Sequence, residues 1–399
     1  MRLTKVRVTK LFGLFDHEIP LNREERITII HGPNGFGKTI ILRMIAALFS
    51  GQYAVFREVP FGTFAVEFDD GRRLMVERVV RESPWLKTMR AFDLLVHLSS
   101  PGGPTIASDK IGSDSGLFGA GAAAPWLQGL IEESPKVRLV RTQRLDIEEH
   151  TEVDEEGTVI VPKPTVEIYS EELSVHIRQT LAAYAARSQE LDRTFPVRLL
   201  GPTKAEPLTA EDLRERMAEL EQKRARLTSL GFLEPEQGLE QAPVRVIETK
   251  RDVLTVYVED VESKLAVFDA MAAKIQIFTR IINGRFLFKR LEIHRDEGFV
   301  FTSATGARLK PAELSSGEQH ELVLLYELLF KLQKNALVLL DEPEISLHVA
   351  WQEKFLEDLM EVVKLSEIDV VVATHSPEII GEHWDLTVGL KGPPETREG

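Results

Sequence analysis

Eight consecutive residues, Gly32-Pro33-Asn34-Gly35-Phe36-Gly37-Lys38-Thr39, carry the spacing G-x-x-x-x-G-K-[ST]. Those residue types suit anion binding. Glycines let a loop turn its N–H groups inward around phosphate oxygens. Lys38 is placed to reach β- and γ-phosphates, and the Thr39 hydroxyl to ligate magnesium. At average residue frequencies the pattern arises by accident in about one chain in a hundred of this length. Its context argues against accident. Ile27 to Ile30 form a short apolar run that reads as a strand, and Ile41, Leu42, Ile45, Leu48 and Phe49 recur at helical spacing after the loop.

A second constellation lies roughly three hundred residues on. Leu337-Val338-Leu339-Leu340-Asp341-Glu342 is a buried-strand pattern that ends in two carboxylates. Asp341 can hold magnesium through water, and Glu342 can polarise an attacking water. Two solvated acids at a strand end are common in isolation. Here Pro343, Glu344 and Ile345-Ser346-Leu347-His348 follow, and Val370-Val371-Val372-Ala373-Thr374 forms another buried run that delivers His375-Ser376-Pro377. A histidine at that point can donate to a γ-phosphate. Between the two constellations stands Leu314-Ser315-Ser316-Gly317-Glu318-Gln319.

Together these segments resemble an ABC-type ATPase of the non-transporter branch, which includes chromosome-maintenance, double-strand-break-repair and OLD-family proteins. More narrowly, the chain is similar to compact bacterial AAA-family ATPases of phage-defence operons, of the Septu, PARIS and retron-associated kind. The resemblance implies an α/β P-loop head, a mixed sheet with flanking helices and antiparallel hairpins, interrupted by a helical insertion. It makes Gly32 to Thr39 the Walker A loop and Leu337 to Glu342 Walker B. Ser315, Ser316 and Gly317 match the signature, Ser346 to His348 the D-loop and His375 the switch histidine. Ser-Ser-Gly-Glu stands where transporters usually carry Ser-Gly-Gly-Gln, which favours the non-transporter branch. The match covers both ends of the chain, roughly residues 1–50 and 286–390. A Q-loop is carried over to Gln143, at the end of a strand containing Val137, Leu139 and Val140. There it would sense magnesium and the attacking water. Gln52 is the rival, but it lies too close to the first helix to link it to a separate lobe.

The expected cofactors are ATP and Mg2+, with Lys38, Thr39 and Asp341 holding phosphates and magnesium and Glu342 acting as general base. Two copies would sandwich two ATP molecules, each bound by Walker A of one chain and the signature of the other. The expected partners are a second copy, or a higher homo-oligomer, and a separate effector protein. OLD-family nucleases carry a further nuclease domain, whereas only 24 residues follow His375 here, so a nuclease is expected on another polypeptide. The expected role is an ATP-hydrolysing sensor of a phage-defence or toxin-like system. A DNA-repair ATPase acting directly on DNA is the alternative, and a non-hydrolysing nucleotide-binding scaffold is a third reading.

Composition bounds these readings. With 399 residues, the chain can hold one large domain with an insertion. It has no cysteine, hence no disulfide, cysteine-based zinc site or thiol chemistry. A net charge of −14 argues against unspecific nucleic-acid binding by the whole surface. A local basic groove stays open. No apolar run approaches a membrane span, and Met1-Arg2-Leu3-Thr4 leads straight into alternating residues without a signal peptide, which suits the cytoplasm.

Three segments are expected: an N-terminal lobe over 1–169, a helical insertion or short arm over 170–285, and a C-terminal lobe over 286–399. Phe64, Val66 and Phe68, the Asp70-Gly71 turn, and Leu74 and Val76 predict a hairpin. Residues 99–125 read as a mobile Gly/Ser/Ala/Pro loop, and Asp154 to Gly157 as a further hairpin turn. Thr209 caps a predicted helix with an apolar face through Leu213, Met217, Leu220 and Leu227, ending near Gly231. Leu254, Val258, Val261, Leu265, Phe268, Ala272, Ile275 and Ile282 predict one helix about 45 Å long. Arg214, Arg216, Lys223, Arg224 and Arg226, mixed with glutamates, read as a solvated face more readily than as a DNA contact. Phe286 to Lys289 and Phe299 to Thr302 read as strands.

Overall fold

A computed structural model describes residues 1–81, 91–101, 103, 105–111, 125–140, 163–200, 207–234 and 250–392. Gln143 and the expected turn at Asp154 to Gly157 lie outside the described residues. The architecture is mixed α/β. The chain divides into two compact units, Met1–Arg144 with Lys331–Gly399, and Leu145–Phe330.

The first unit begins with β1 (Leu3–Leu11), β2 (Phe15–Pro20) and β3 (Ile27–His31), followed by α1 (Lys38–Ser50). It continues through β4 (Thr63–Phe68), β5 (Arg73–Arg81), β6 (Ala91–Ser99), β7 (Thr105–Ile111) and β8 (Val137–Val140). The second unit supplies β9 (Lys289–His294), β10 (Gly298–Ser303) and β11 (Arg308–Leu309). The chain then returns to the first unit with β12 (Leu337–Asp341), β13 (Asp369–Thr374) and β14 (Thr387–Gly389).

Two sheets build the first unit. One is antiparallel, in the order β2-β1-β4-β5-β6-β7, and the other is parallel, in the order β14-β3-β13-β12-β8. Periodicity separates them. Strand β2 alternates buried and exposed, as in a sheet with one solvated face, whereas β3 and β12 are buried through four successive residues. One apolar cluster joins Val6, Val8, Phe64 and Val76 of the antiparallel sheet to Ile41, Leu42 and Leu48 of α1 and to Leu339 and Val371 of the parallel sheet. Truncating a side chain such as Leu42, fully buried there, costs about 2–5 kcal/mol. The hairpin around Asp70-Gly71 is present, with Val66 opposite Leu74 and Phe64 opposite Val76.

Part of the expected loop over 99–125 is ordered instead. Residues 105–111 pair with β6 as an edge strand, with His97 opposite Ser108 and Leu95 opposite Lys110. Backbone pairing holds this strand. Its side chains bury little, Ile106 being 60% exposed, and that is why no hydrophobic alternation marks it.

In the second unit, Thr165–Leu200, Ala210–Ser229, Arg251–Ala266 and Asp269–Arg285 are helices. Thr209 caps as expected. Its hydroxyl accepts from Asp212 N at 3.1 Å, and Asp212 Oδ2 accepts from Thr209 N at 3.3 Å. The single long helix predicted from Leu254 to Ile282 is in fact two, broken at Val267–Phe268. Phe268 N bonds to Leu265 O three residues back, and the fully buried ring packs against Tyr184 and Phe232. A heptad pattern passes through such a break unchanged, because a tightened turn keeps the apolar face on the same side. Two members of the basic cluster pair between helices: Arg216 with Glu262, and Lys223 with Asp269 at 2.6 Å.

Candidate active site

In the parallel sheet, register places three strand ends at one level. Asp341 lies opposite Ala373, and Ala373 opposite Ile30. The loops leaving the carboxyl ends of β3, β12 and β13 therefore start side by side, where open α/β sheets place their ligands.

The first of these loops is Gly32 to Gly37. Gly35 and Gly37 hold φ of 86° and 92°, a region that disfavours residues with a Cβ. At Gly37 a Cβ would also meet the Leu11 side chain at 2.5 Å. Gly37 is the N-cap of α1, and neither a side-chain cap nor an acidic residue serves the first turn. That leaves the positive end of the helix facing the loop, as an anion site requires. Phe36 anchors the loop: its carbonyl accepts from His17 Nε2 at 3.0 Å and its ring packs 5.2 Å from Phe15. Burial pushes His17 below its ordinary value, against the opposing pull of the Phe36 carbonyl. Lys38 is 5% exposed, and its ammonium donates to the carbonyls of Gly32 at 2.7 Å and Pro33 at 3.2 Å.

Thr39 Oγ1 donates to Asp341 Oδ1 at 3.0 Å. A hydroxyl and a carboxylate from segments far apart in sequence thus converge, and hard oxygen donors of this kind suit magnesium. Next to them Glu342 adopts a left-handed conformation, φ 46° and ψ 57°, at a cost of about 1–2 kcal/mol. Its N–H donates to Ala373 O at 2.8 Å, so the ladder between β12 and β13 continues one residue past the strand while the chain turns sharply. Glu342 Oε1 lies 3.6 Å from His375 Nδ1.

Glu344 is the residue that sequence reasoning missed as part of the site. It is 7% exposed. Its Oε1 accepts from Thr374 Oγ1 at 2.7 Å and from His375 N at 3.2 Å, and lies 3.1 Å from His375 Nδ1. A carboxylate after a proline gives no sign of burial in sequence. The available signal was its place two residues beyond Glu342, in a chain whose next strand ends in Thr374-His375. Beside the loop a recess of about 380 Å³ is lined by His31, Pro33, Asn34, His375 and Trp384. The half-exposed Trp384 indole meets His31 edge-on at 5.5 Å.

Among the expected site residues, Gly32 to Thr39, Asp341, Glu342 and His375 are all in the first unit. Ser315, Ser316 and Gly317 belong to the second. There Ser315 is the N-cap of the helix Ser316–Tyr326, forming a capping box with Glu318, while Gln319 Nε2 donates to Ala312 O at 3.0 Å and Leu314 O at 2.8 Å. Ser315 and Ser316 are exposed.

Residues 216–381 match an AAA domain. The matching family is described as "AAA domain, putative AbiEii toxin, Type IV TA system". Two Helicobacter pylori proteins, each described as a probable iron chelatin transport ATP-binding protein, are 37% identical over 76 residues, 19% of this chain. The match spans 29% of the length of those relatives. Among solved structures, the Pyrococcus furiosus Smc head domain bound to the C-terminal domain of ScpA aligns over 97% of this chain and 93% of its own, at 12% identity and a TM-score of 0.39. The Thermotoga maritima SMC head domain aligns over 98% and 95%, at 12% identity and 0.36. Residues 216–381 are thus similar to an AAA-type ATPase domain, and the geometry of the loop at residues 32–39 is compatible with phosphate binding. Among the described residues no helix is long and apolar enough to cross a membrane.

Proposed function

We propose that the chain binds and hydrolyses ATP as a switch between copies of itself. The observation that carries this reading is the convergence of Lys38, Thr39, Asp341, Glu342 and His375 at the ends of three parallel strands. The loop and Lys38 bind the β- and γ-phosphates. Thr39 Oγ1 and Asp341 would hold magnesium, which would supply charge neutralisation to the phosphate oxygens. Glu342 takes a proton from water as the water oxygen bonds to the γ-phosphorus. The bond to the β-phosphate oxygen breaks, and ADP leaves with its electron pair. Glu344 Oε1, 3.1 Å from Nδ1, orients the His375 ring so that its Nε2 edge is free to meet the γ-phosphate.

The signature Ser315–Gly317 acts on ATP held by a second copy. Ile345 and Val349, 63% and 65% exposed beside the D-loop, support a protein surface there. Gln143 acts as the sensor of magnesium and the attacking water. The division into lobes at 1–169, 170–285 and 286–399 remains part of this proposal.

In the cell the switch would be the sensor subunit of a bacterial defence or toxin-like system, acting in the cytoplasm with a separate effector such as a nuclease. The toxin–antitoxin description of the matching family supports this. A DNA-repair ATPase is the second reading. The interhelical pairing of Arg216 and Lys223 weighs against it. The deciding experiment is ATP turnover by wild-type and Lys38→Ala chains. Equal turnover in the two removes the proposed site.

A further inference from the structure

The signature loop of this chain ends in a carboxylate, Glu318, at the third position of the helix Ser316–Tyr326. In a capping box, a glutamate at the third helical position reaches back to the N-cap, and that is an ordinary way to start a helix. Glu318 does this for Ser315. Yet the composite-site reading brings the same loop up to another copy's triphosphate, and a bare carboxylate beside it would repel phosphate.

The structure shows what offsets that charge. Lys289, the first residue of β9, places its ammonium 2.7 Å from both Glu318 oxygens. Glu318 Oε2 also accepts from Ser315 N at 2.9 Å and from the Ser315 hydroxyl at 2.8 Å. The carboxylate is 9% exposed, and the Lys289 side chain is 25% exposed. Burial by itself would raise the Glu318 carboxyl. The hydrogen bonds from Lys289 and Ser315 outweigh it and hold the group below the usual carboxylate range.

Lys289 is itself held in place. Phe288, just before it, sits at φ 62°, and its carbonyl accepts from Ala304 N at 2.7 Å. Lys289 then pairs with Ser303 in the sheet. One helix turn further on, a buried Arg285–Glu321 ion pair ties the signature helix to the helix Asp269–Arg285.

We propose that Lys289 is a positioning residue for the signature loop. By neutralising Glu318 it keeps Ser315 and Gly317 presented, and it lets the loop approach the γ-phosphate held by a second copy. This rests on the composite-site reading. As that phosphate arrives, the Ser315 hydroxyl exchanges its donor bond from Glu318 to the phosphate, and Lys289 retains the carboxylate.

The test uses the full chain in four forms: wild type, Lys289→Met, Glu318→Gln with Lys289→Met, and Gly317→Trp. Each is measured for ATP binding, steady-state turnover and melting temperature. Lys289→Met is expected to lower kcat about tenfold or more, with ATP affinity of the isolated chain within about twofold of wild type. Raised salt should narrow that defect, because it is electrostatic. Adding Glu318→Gln removes the charge that needed neutralising and should recover most of the lost turnover. A pair with only a structural role gives the opposite pattern: the double variant is as impaired as Lys289→Met, and the loss tracks melting temperature. That pattern, or wild-type turnover in Lys289→Met, overturns the inference. Lys289→Gln replaces Lys289→Met should the latter fail to fold. If Gly317→Trp turns over normally, the composite-site reading itself fails. If Gly317→Trp is inactive while Lys289→Met is unaffected, only the role of Lys289 fails.

Discussion

At the scale of residues, the site separates binding from chemistry. Lys38 is buried and bonded to loop carbonyls, so its ammonium is fixed where phosphate charge would sit. Charge-assisted bonds of this kind contribute about 1.5–3 kcal/mol, roughly ten- to a hundredfold in affinity. Lys38→Ala is therefore expected to lose at least about tenfold in ATP affinity, together with turnover, by calorimetry and phosphate release. Glu342→Gln keeps shape and hydrogen bonding but removes the carboxylate proposed as the base. It should bind ATP while turnover falls by about 10²–10⁴-fold, and a wild-type rate would place the base elsewhere. Glu344 acts through His375. Glu344→Ala leaves the Thr374 hydroxyl and the His375 ring without their shared acceptor. Its expected signature is a lower kcat with nearly unchanged ATP affinity. A wild-type kcat in Glu344→Ala would remove Glu344 from the site.

At the scale of elements, the loop's anchorage has a pH signature. Burial depresses the folded-state pKa of His17 below its ordinary 6.5, and the Phe36 carbonyl only partly opposes this. Above pH 6.5 the ring is neutral in both folded and unfolded chains and contributes nothing to pH dependence. As pH falls below 6.5, the unfolded chain takes up the proton first, so the folded state loses stability until the lower folded pKa is passed. Melting temperature should fall over that window, and His17→Gln should flatten the fall. An unchanged slope in that variant would assign the loss to other groups. In the second unit, Arg285 and Glu321 form an ion pair that is 7% and 2% exposed. Removing one partner strands a buried charge and should cost about 3–5 kcal/mol in denaturant unfolding. Replacing both with apolar residues should cost much less.

At the scale of the whole molecule, the proposal requires each site to be shared by two copies. Gly317→Trp and Lys38→Ala chains are each expected to be inactive alone. A mixture in which subunits exchange should recover turnover, because each heterodimer holds one intact Walker A facing one intact signature. No recovery in a mixture shown to exchange would argue for sites completed within a single chain. The same logic predicts that ATP shifts Glu342→Gln from monomer to dimer in light scattering, driven by surface that includes the exposed Ile345 and Val349.

The sequence alone determined the glycine-rich loop between β3 and α1, the acid-ended strand β12 and the strand β13 leading to His375. Each is local chemistry on a periodic apolar run, and hydrophobic period and loop composition are written along the chain. It also carried the Thr209 cap and the hairpin at Asp70-Gly71, for the same reason. Other features were decided only by tertiary structure. Glu344 became part of the site because Thr374 and His375 arrive beside it from 30 residues away. Lys289 became the partner of Glu318 because a strand register and a left-handed Phe288 aim it there, and spacing encodes neither. Residues 105–111 form a strand through backbone bonds to β6, with too little burial to leave a pattern. The helix break at Phe268 depends on Tyr184 and Phe232 receiving the ring. Periodicity reports which face of an element is buried. What it is buried against, and which charges meet there, is decided when distant segments pack.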